Sequence, residues 1–177
     1  PEHKEQFKQD LATCLEQFEP IFLHHYGQGL CEKMGLPHFH KDSLDCSFAF
    51  LRILQTEQLD YTQSFIRLQN KAYKALRDDC LDLRQFDAFL HQYQDIRNNQ
   101  DTDELDRIMQ GANPHYILRN HMAQKAIEQA ERGDFSEVDR LFKLLNQPYQ
   151  KQPDLETEQD TAPLPSDVPE ISVSCSS

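Results

Sequence analysis

Apolar residues recur at intervals of three and four along most of this 177-residue chain, which is the spacing of helix faces. Phe7, Leu11, Leu15, Phe18 and Phe22 form one stripe and predict a helix from Glu2 to about Met34. Pro20 predicts a kink within it, because proline lacks an N–H and crowds the preceding turn. Gly35, with Pro37 beyond it, is a stop signal. Asp42 or Ser43 is expected to cap a second helix carrying Leu44, Phe48, Leu51 and Leu54. Asp60 is expected to cap a third, with Tyr61, Phe65, Leu68, Ala72 and Leu76 on one face. A fourth follows Asp82 and carries Leu83, Phe86, Phe89, Leu90 and Tyr93, and a short helix over Asp103–Met109 ends at Gly111.

Asn113 precedes Pro114, a residue suited to the first helical position. The predicted helix holds Ile117, Leu118, Met122, Ala126, Ile127 and Ala130, and Gly133 is expected to end it in the left-handed conformation. Asp134 and Glu137 have capping-box spacing for another helix, whose apolar face is Val138, Leu141, Phe142 and Leu145, and Pro148 closes it. Only Ile171–Val173 resembles a strand. The predicted class is all-α: a multi-helix bundle over 1–147. Five of the nine prolines and six acidic residues then fall in 148–177, without a glycine. That composition cannot build a core and predicts an extended acidic, Pro-rich tail.

Composition narrows the picture. Hydrophobic residues at 38%, with 11 Phe, suit a packed soluble body. No apolar run approaches the ~20 residues that span a bilayer, and PEHKEQFKQD has no signal-peptide layout. A start at Pro1 is expected of a fragment, or of a chain that has lost its initiator Met. The net charge of −12 repels a polyanion, so no nucleic-acid partner is expected. Cys14, Cys31, Cys46, Cys80 and Cys175 are odd in number and widely spaced, which fits reduced thiols in a cytoplasmic setting.

Few constellations suggest chemistry. His24, His25, Cys31, His38, His40 and Cys46 lie close in sequence, but lack C-x-x-C or H-x-x-x-H spacing for zinc. Asp78, Asp79 and Asp82 read as a solvated charge run at a helix start. Arg119 is expected to pair with a carboxylate and Asn120 to bond exposed backbone, with contact to another lobe as the competing reading. AERGDFSEVDRL looks like a repeat-protein turn, yet no second copy occurs.

Two stretches carry a resemblance. The first is Asp60-Tyr61-Thr62 with Phe65 and Leu68, in LDYTQSFIRL. The second is NPHYILRNHMAQKAIEQAERGDFSEVDRLFKLLNQPYQKQP, followed by AP and a terminal ISVSCSS. In order and spacing they resemble the C-terminal part of the selenoprotein O (YdiU) family, densely over Asn113–Pro153 and more loosely over Glu2–Met109. The resemblance implies a protein-kinase-like fold that transfers AMP from ATP to hydroxyl side chains of proteins, with Mg or Mn as the metal. That family's Gly-rich loop, Lys–Glu pair and metal-binding Asn and Asp have no counterpart here. No catalytic, ATP-binding or metal residue is therefore assigned, and no cofactor is expected in this chain itself. The implied partners are a nucleotide-binding lobe and protein substrates, with no membrane. Some members carry selenocysteine third from the end, which makes Cys175 a candidate redox residue; an inert tail cysteine is the competing reading.

The expected role is thus structural or regulatory within an AMP-transferring enzyme, the chain alone being inactive. The alternative is a stand-alone acidic helical adaptor. A broad apolar face would favour the first, and a compact patch on a polar surface the second.

Overall fold

The computed structural model of the chain describes residues 2–38, 40–98 and 100–162. Its elements are α1 (Glu2–Met34), α2 (Lys41–Thr56), α3 (Tyr61–Gln69), α4 (Tyr73–Asp78), α5 (Leu83–Asn98), α6 (Thr102–Ala112), α7 (Asn120–Glu131), α8 (Ser136–Asn146) and α9 (Glu158–Thr161). Among the described residues there is no strand, so the all-α expectation holds. Ile171–Val173 and Cys175 lie outside the described residues.

The C-terminal end of α1 packs against α2, α3 and α6, while α5 backs α2 and α4. Their shared core holds Leu30, Cys31, Met34 and Leu36 with Cys46, Phe50, Ile53, Phe65, Leu68, Leu76, Phe86, Phe89, Tyr93 and Met109. Phe50 stacks on Phe89 at 4.9 Å between ring centroids and meets Phe65 edge-on at 5.2 Å. α7 and α8 form a separate hairpin around Met122, Ala126 and Leu141.

Glycine closes α1 and α7 as expected. Gly35 (φ +58) and Gly133 (φ +86) take the left-handed position, and the next N–H reaches back five residues, Leu36 to Cys31 and Asp134 to Gln129. Lys71 (φ +57) does the same work after α3: its N–H meets the Leu68 carbonyl and the Ala72 N–H meets that of Arg67. The single third helix expected through Leu76 is therefore two, α3 and α4. A lysine at the left-handed position carries no glycine signal.

Other expectations need correction. α2 begins at Lys41 with His40 at its N-cap and no side-chain cap, so neither Asp42 nor Ser43 caps it. Its buried face is Cys46, Phe50, Ile53 and Leu54, whereas Phe48 is exposed. α6 continues through Gly111 to Ala112, and α7 starts at Asn120 rather than at Pro114. α8 starts at Ser136; Asp134 accepts the Ser136 N–H, while Glu137 turns to Arg140 instead of completing a capping box. Leu144 is buried there and Phe142 is exposed. The capping box is formed at α9, between Thr157 and Asp160.

α1 itself runs through Pro20 with the predicted bounds. Its stripe, however, does not enter this core. Residues 6–26 are exposed throughout, and Phe7, Leu15 and Phe18 keep more than 60% of their surface in solvent. At about 100° per residue, Met34 lies roughly 160° around a regular helix from Phe18. The stripe and the core-facing end of α1 thus look in nearly opposite directions. Among the described residues no helix is long and apolar enough to cross a membrane.

Candidate functional site

The two motif-bearing stretches meet in space. Residues 113–119 leave the end of α6 and run beside the start of α3. They stay irregular because their polar groups are claimed from outside. The His115 and Tyr116 N–H groups both donate to the Pro148 carbonyl, at 2.7 and 3.3 Å. The buried Tyr116 hydroxyl accepts from the Gln152 N–H at 2.8 Å and donates to Glu156. These contacts tie His115 and Tyr116 to the segment after α8.

Asp60 does two jobs. Its Oδ1 accepts the Gln63 N–H at 2.8 Å, capping α3, and the carboxylate pairs with both terminal nitrogens of Arg119 at 2.7 and 3.1 Å. Burial pushes the Asp60 carboxyl up, but the Arg119 hydrogen bond and charge and the capping N–H groups together hold it below the usual aspartate range. Arg119 thus pairs with a carboxylate, as expected; Asn120 is exposed at the start of α7.

Beneath this pair lies Lys33, from the last turn of α1. Its Nζ donates to the Ala112 carbonyl at 2.9 Å and to Asn113 Oδ1 at 3.4 Å. The Asn113 side-chain amide returns a hydrogen bond to the Lys33 carbonyl at 2.7 Å. The ammonium sits 5.5 Å from the Phe65 ring centroid and 5.8 Å from that of Tyr61. Burial pulls the Lys33 amine below its ordinary value and pushes the Tyr61 phenol up. Lys33, Tyr61, Thr62, Phe65, Asn113, Pro114 and Ile117 line a cleft of about 140 Å³.

A second polar knot fastens the segment after α8. Arg140 spends its five N–H groups on Glu137, Asp160 and the Leu155 carbonyl, at 2.8 to 3.0 Å. Asp160 is 2% exposed. Its carboxyl is pushed up by burial, then brought net below its usual range by Arg140 and the Thr157 N–H. Arg140 is raised in turn, chiefly by the hydrogen bonds to Glu137 and Asp160.

The remaining candidates are scattered. His24 and His25 are exposed on α1 with their rings edge to face, and His40 is exposed at the start of α2. His38 approaches Glu32 at 3.8 Å. Cys31 and Cys46 are core residues; burial raises both thiols, that of Cys46 to about 12. Asp78 pairs with Lys74, Asp79 with Arg67, and Asp82 caps α5. Among the described residues no three His, Cys, Asp or Glu side chains are arranged to hold a metal ion.

From sequence, Lys33, Arg140 and Asp160 carry no site assignment, and Asn113 is read only as the start of a helix and of a motif. Two of them had a local signal, Arg140 in its i,i+3 spacing from Glu137 and Asp160 in its capping-box spacing from Thr157.

Comparison with known proteins completes the picture. The sequence matches the family described as protein adenylyltransferase SelO over residues 6–146. It is 38% identical over 174 residues to the protein nucleotidyltransferase YdiU of Pectobacterium atrosepticum, covering 94% of this chain and 35% of that protein. The protein of the same name from Yersinia pseudotuberculosis serotype O:1b is 35% identical with the same coverage. That from Methylococcus capsulatus is 36% identical over 172 residues, 92% of this chain and 34% of the relative. The chain therefore spans about a third of the length of the curated relatives it matches.

Proposed function

This chain belongs to the protein adenylyltransferase SelO family, and from that premise we propose that it is the helical buttress of an enzyme moving AMP from ATP to protein hydroxyls. Catalysis resides in the remaining length of the protein. That part places the phosphates and the divalent metal for in-line attack, work done by positioned charges. This chain packs against it and shapes the surface on which the substrate protein lies. On its own the chain transfers no AMP.

The observation that carries this reading is the exposed stripe on α1. Phe7, Leu11, Leu15, Phe18 and Phe22 run along about 22 Å of helix, turned away from the chain's own core. Burying each such side chain stabilises by about 1.5–3 kcal/mol, so five represent on the order of 10 kcal/mol unrealised within this chain. A face of that length fits the docking seam of a larger body. The alternative, a free-standing acidic adaptor, calls for a compact patch instead.

Cys14 reports on the seam directly. It is exposed, three residues after Leu11 and four before Phe18, at the edge of the stripe. Alkylation of Cys14 in the complete protein, read by peptide mass spectrometry, tests the proposal. Protection of about tenfold or more relative to the denatured protein is expected. Alkylation at the denatured rate means that the stripe is free, and the adaptor reading replaces this one.

The redox reading of Cys175 belongs with the same proposal. Cys31, Cys46 and Cys80 are buried, with thiols raised by burial, and are poor nucleophiles for disulfide formation. A partner for Cys175 is therefore Cys14 or a thiol in the remaining length, with two electrons passing to an oxidant such as a peroxide.

A further inference from the structure

Lys33 breaks a rule that every other inward cation in the described residues obeys. Arg67, Arg77, Arg97, Arg119 and Arg140, all buried or half-buried, each pair with a carboxylate. Lys33 is half-buried, and among the described residues no carboxylate stands within ion-pair reach of it. An ammonium has three donors. Two are spent on the Ala112 carbonyl and, over a long 3.4 Å, on Asn113 Oδ1. The third is unassigned beside an open cleft whose walls are Tyr61, Phe65 and Ile117, with Thr62 at its edge.

We propose that this cleft is a binding site for a single carboxylate group, its charge met by the Lys33 ammonium and its carbon stem laid against Tyr61, Phe65 and Ile117. The chemistry follows from the lining. One cation in a largely apolar cleft balances one negative charge; a doubly charged phosphate would leave one uncompensated in a poorly solvated place. The volume of about 140 Å³ is ample, since a water needs only ~10–15 Å³. The aromatic faces add attraction for the ammonium and a flat apolar surface for the stem. Tyr61 and Thr62 face Asn113, Pro114 and Ile117 across the cleft, and the Arg119–Asp60 pair ties the two segments together beside it. Two sources share this chemistry: an Asp or Glu from the remaining length of the protein, and a free small carboxylate.

Trace acylation of the complete protein with an amine-reactive succinimidyl ester, followed across pH on the peptide carrying Lys33, separates them. If the protein supplies the carboxylate, Lys33 titrates at or above the ordinary lysine value of about 10.4 without any addition, and acylates about tenfold more slowly than in the denatured protein. If the carboxylate is free, Lys33 titrates below that value, and excess acetate raises it where excess phosphate does not. A low titration point that neither anion moves would overturn the proposal and leave Lys33 as a cap on the end of α6. A shift with phosphate alone would overturn the choice of a carboxylate. The readout needs no substitution, so misfolding of a variant cannot imitate any of these results.

Discussion

Arg119 grips Asp60 with both ends of its guanidinium, at 2.7 and 3.1 Å, across 59 residues of chain. The side chains are only 13% and 20% exposed, and Asp60 is at the same moment the N-cap of α3. One carboxylate thus starts a helix and anchors the irregular segment that leads into α7.

Removing the guanidinium leaves a half-buried carboxylate with only its capping partners. Arg119→Ala is expected to destabilise the fold by about 2–4 kcal/mol, as for a broken, mostly buried pair. Arg119→Lys is expected to recover less than half of that, because a point charge cannot reproduce the two-pronged contact. Urea denaturation of the variants checks both values. An Arg119→Ala variant as stable as the parent would show that the clasp contributes nothing.

The clasp also sets a pH dependence. Asp60, Asp106, Glu137 and Asp160 all have carboxyls held below their ordinary values by arginine or lysine partners against the opposing push of burial. For a group with a depressed folded value, the stabilisation is complete above the unfolded value, about 3.9–4.3, and is lost as pH falls through the folded one. Burial also holds the His115 imidazole below its ordinary value of about 6.5, so stability is expected to decline gently below that pH and to fall steeply below about 4. Circular dichroism melts across this range test it. A rise in melting temperature on acidification would contradict the assignment.

Gly35 and Gly133 make a paired test of space against conformation. Both have positive φ, but a Cβ on Gly35 would sit 2.6 Å from Met109 and collide with the Arg97 guanidinium, while one on Gly133 would meet nothing within 4 Å. Gly133→Ala is expected to cost about 1–2 kcal/mol, the left-handed penalty alone. Gly35→Ala adds the displacement of Arg97 from the Met34 and Gly35 carbonyls and from Asp106, and about 3 kcal/mol or more is expected. Equal losses in thermal or urea unfolding would mean that the crowding around Gly35 relaxes freely.

Thiol reactivity should split the described cysteines into two classes. Cys46 and Cys80 have thiols raised by burial to about 12 and about 11, and Cys31 is raised as well. Pulsed iodoacetamide at pH 8 is expected to modify these three at least a hundredfold more slowly than in urea, since the thiolate fraction and access both fall. Rapid modification of Cys46 in the native protein would place it outside the core.

Tyr116 ties the segment after α8 to the segment before α7 through its hydroxyl. Tyr116→Phe keeps the ring and deletes both hydrogen bonds, so a loss of about 1–3 kcal/mol is expected. Amide hydrogen exchange should accelerate first at Gln152, whose N–H loses its acceptor. Unchanged protection at Gln152 would show that the hydroxyl does not hold this segment.

Local chemistry was legible where its signals are local. The bounds of α1 follow from its periodicity and Gly35, and the starts of α3 and α5 follow from the Asp60 and Asp82 caps. The break after Gln69 was not legible, because Lys71 holds a conformation that sequence associates with glycine. Nor was the irregular stretch before α7, where helix syntax at Asn113-Pro114 lost to Pro148, Gln152, Glu156 and Asp60. The choice of Phe50 over Phe48 in α2 was likewise open, since both stripes of that helix are apolar and only the neighbour decides which is buried.

The sequence by itself determined the all-α class, the membership signalled by its two motifs, the ends of α1 and α7, the starts of α3 and α5, and the acidic balance of the chain. These rest on backbone sterics, caps and charge count, which act over a few residues or over the whole chain at once. Only the tertiary structure decided that the two motifs close one cleft and that, among the described residues, Lys33 faces it without a carboxylate and the stripe on α1 is uncovered. Those outcomes depend on which faces meet across 60 to 80 residues, and hydrophobic burial, which drives the meeting, has no direction of its own.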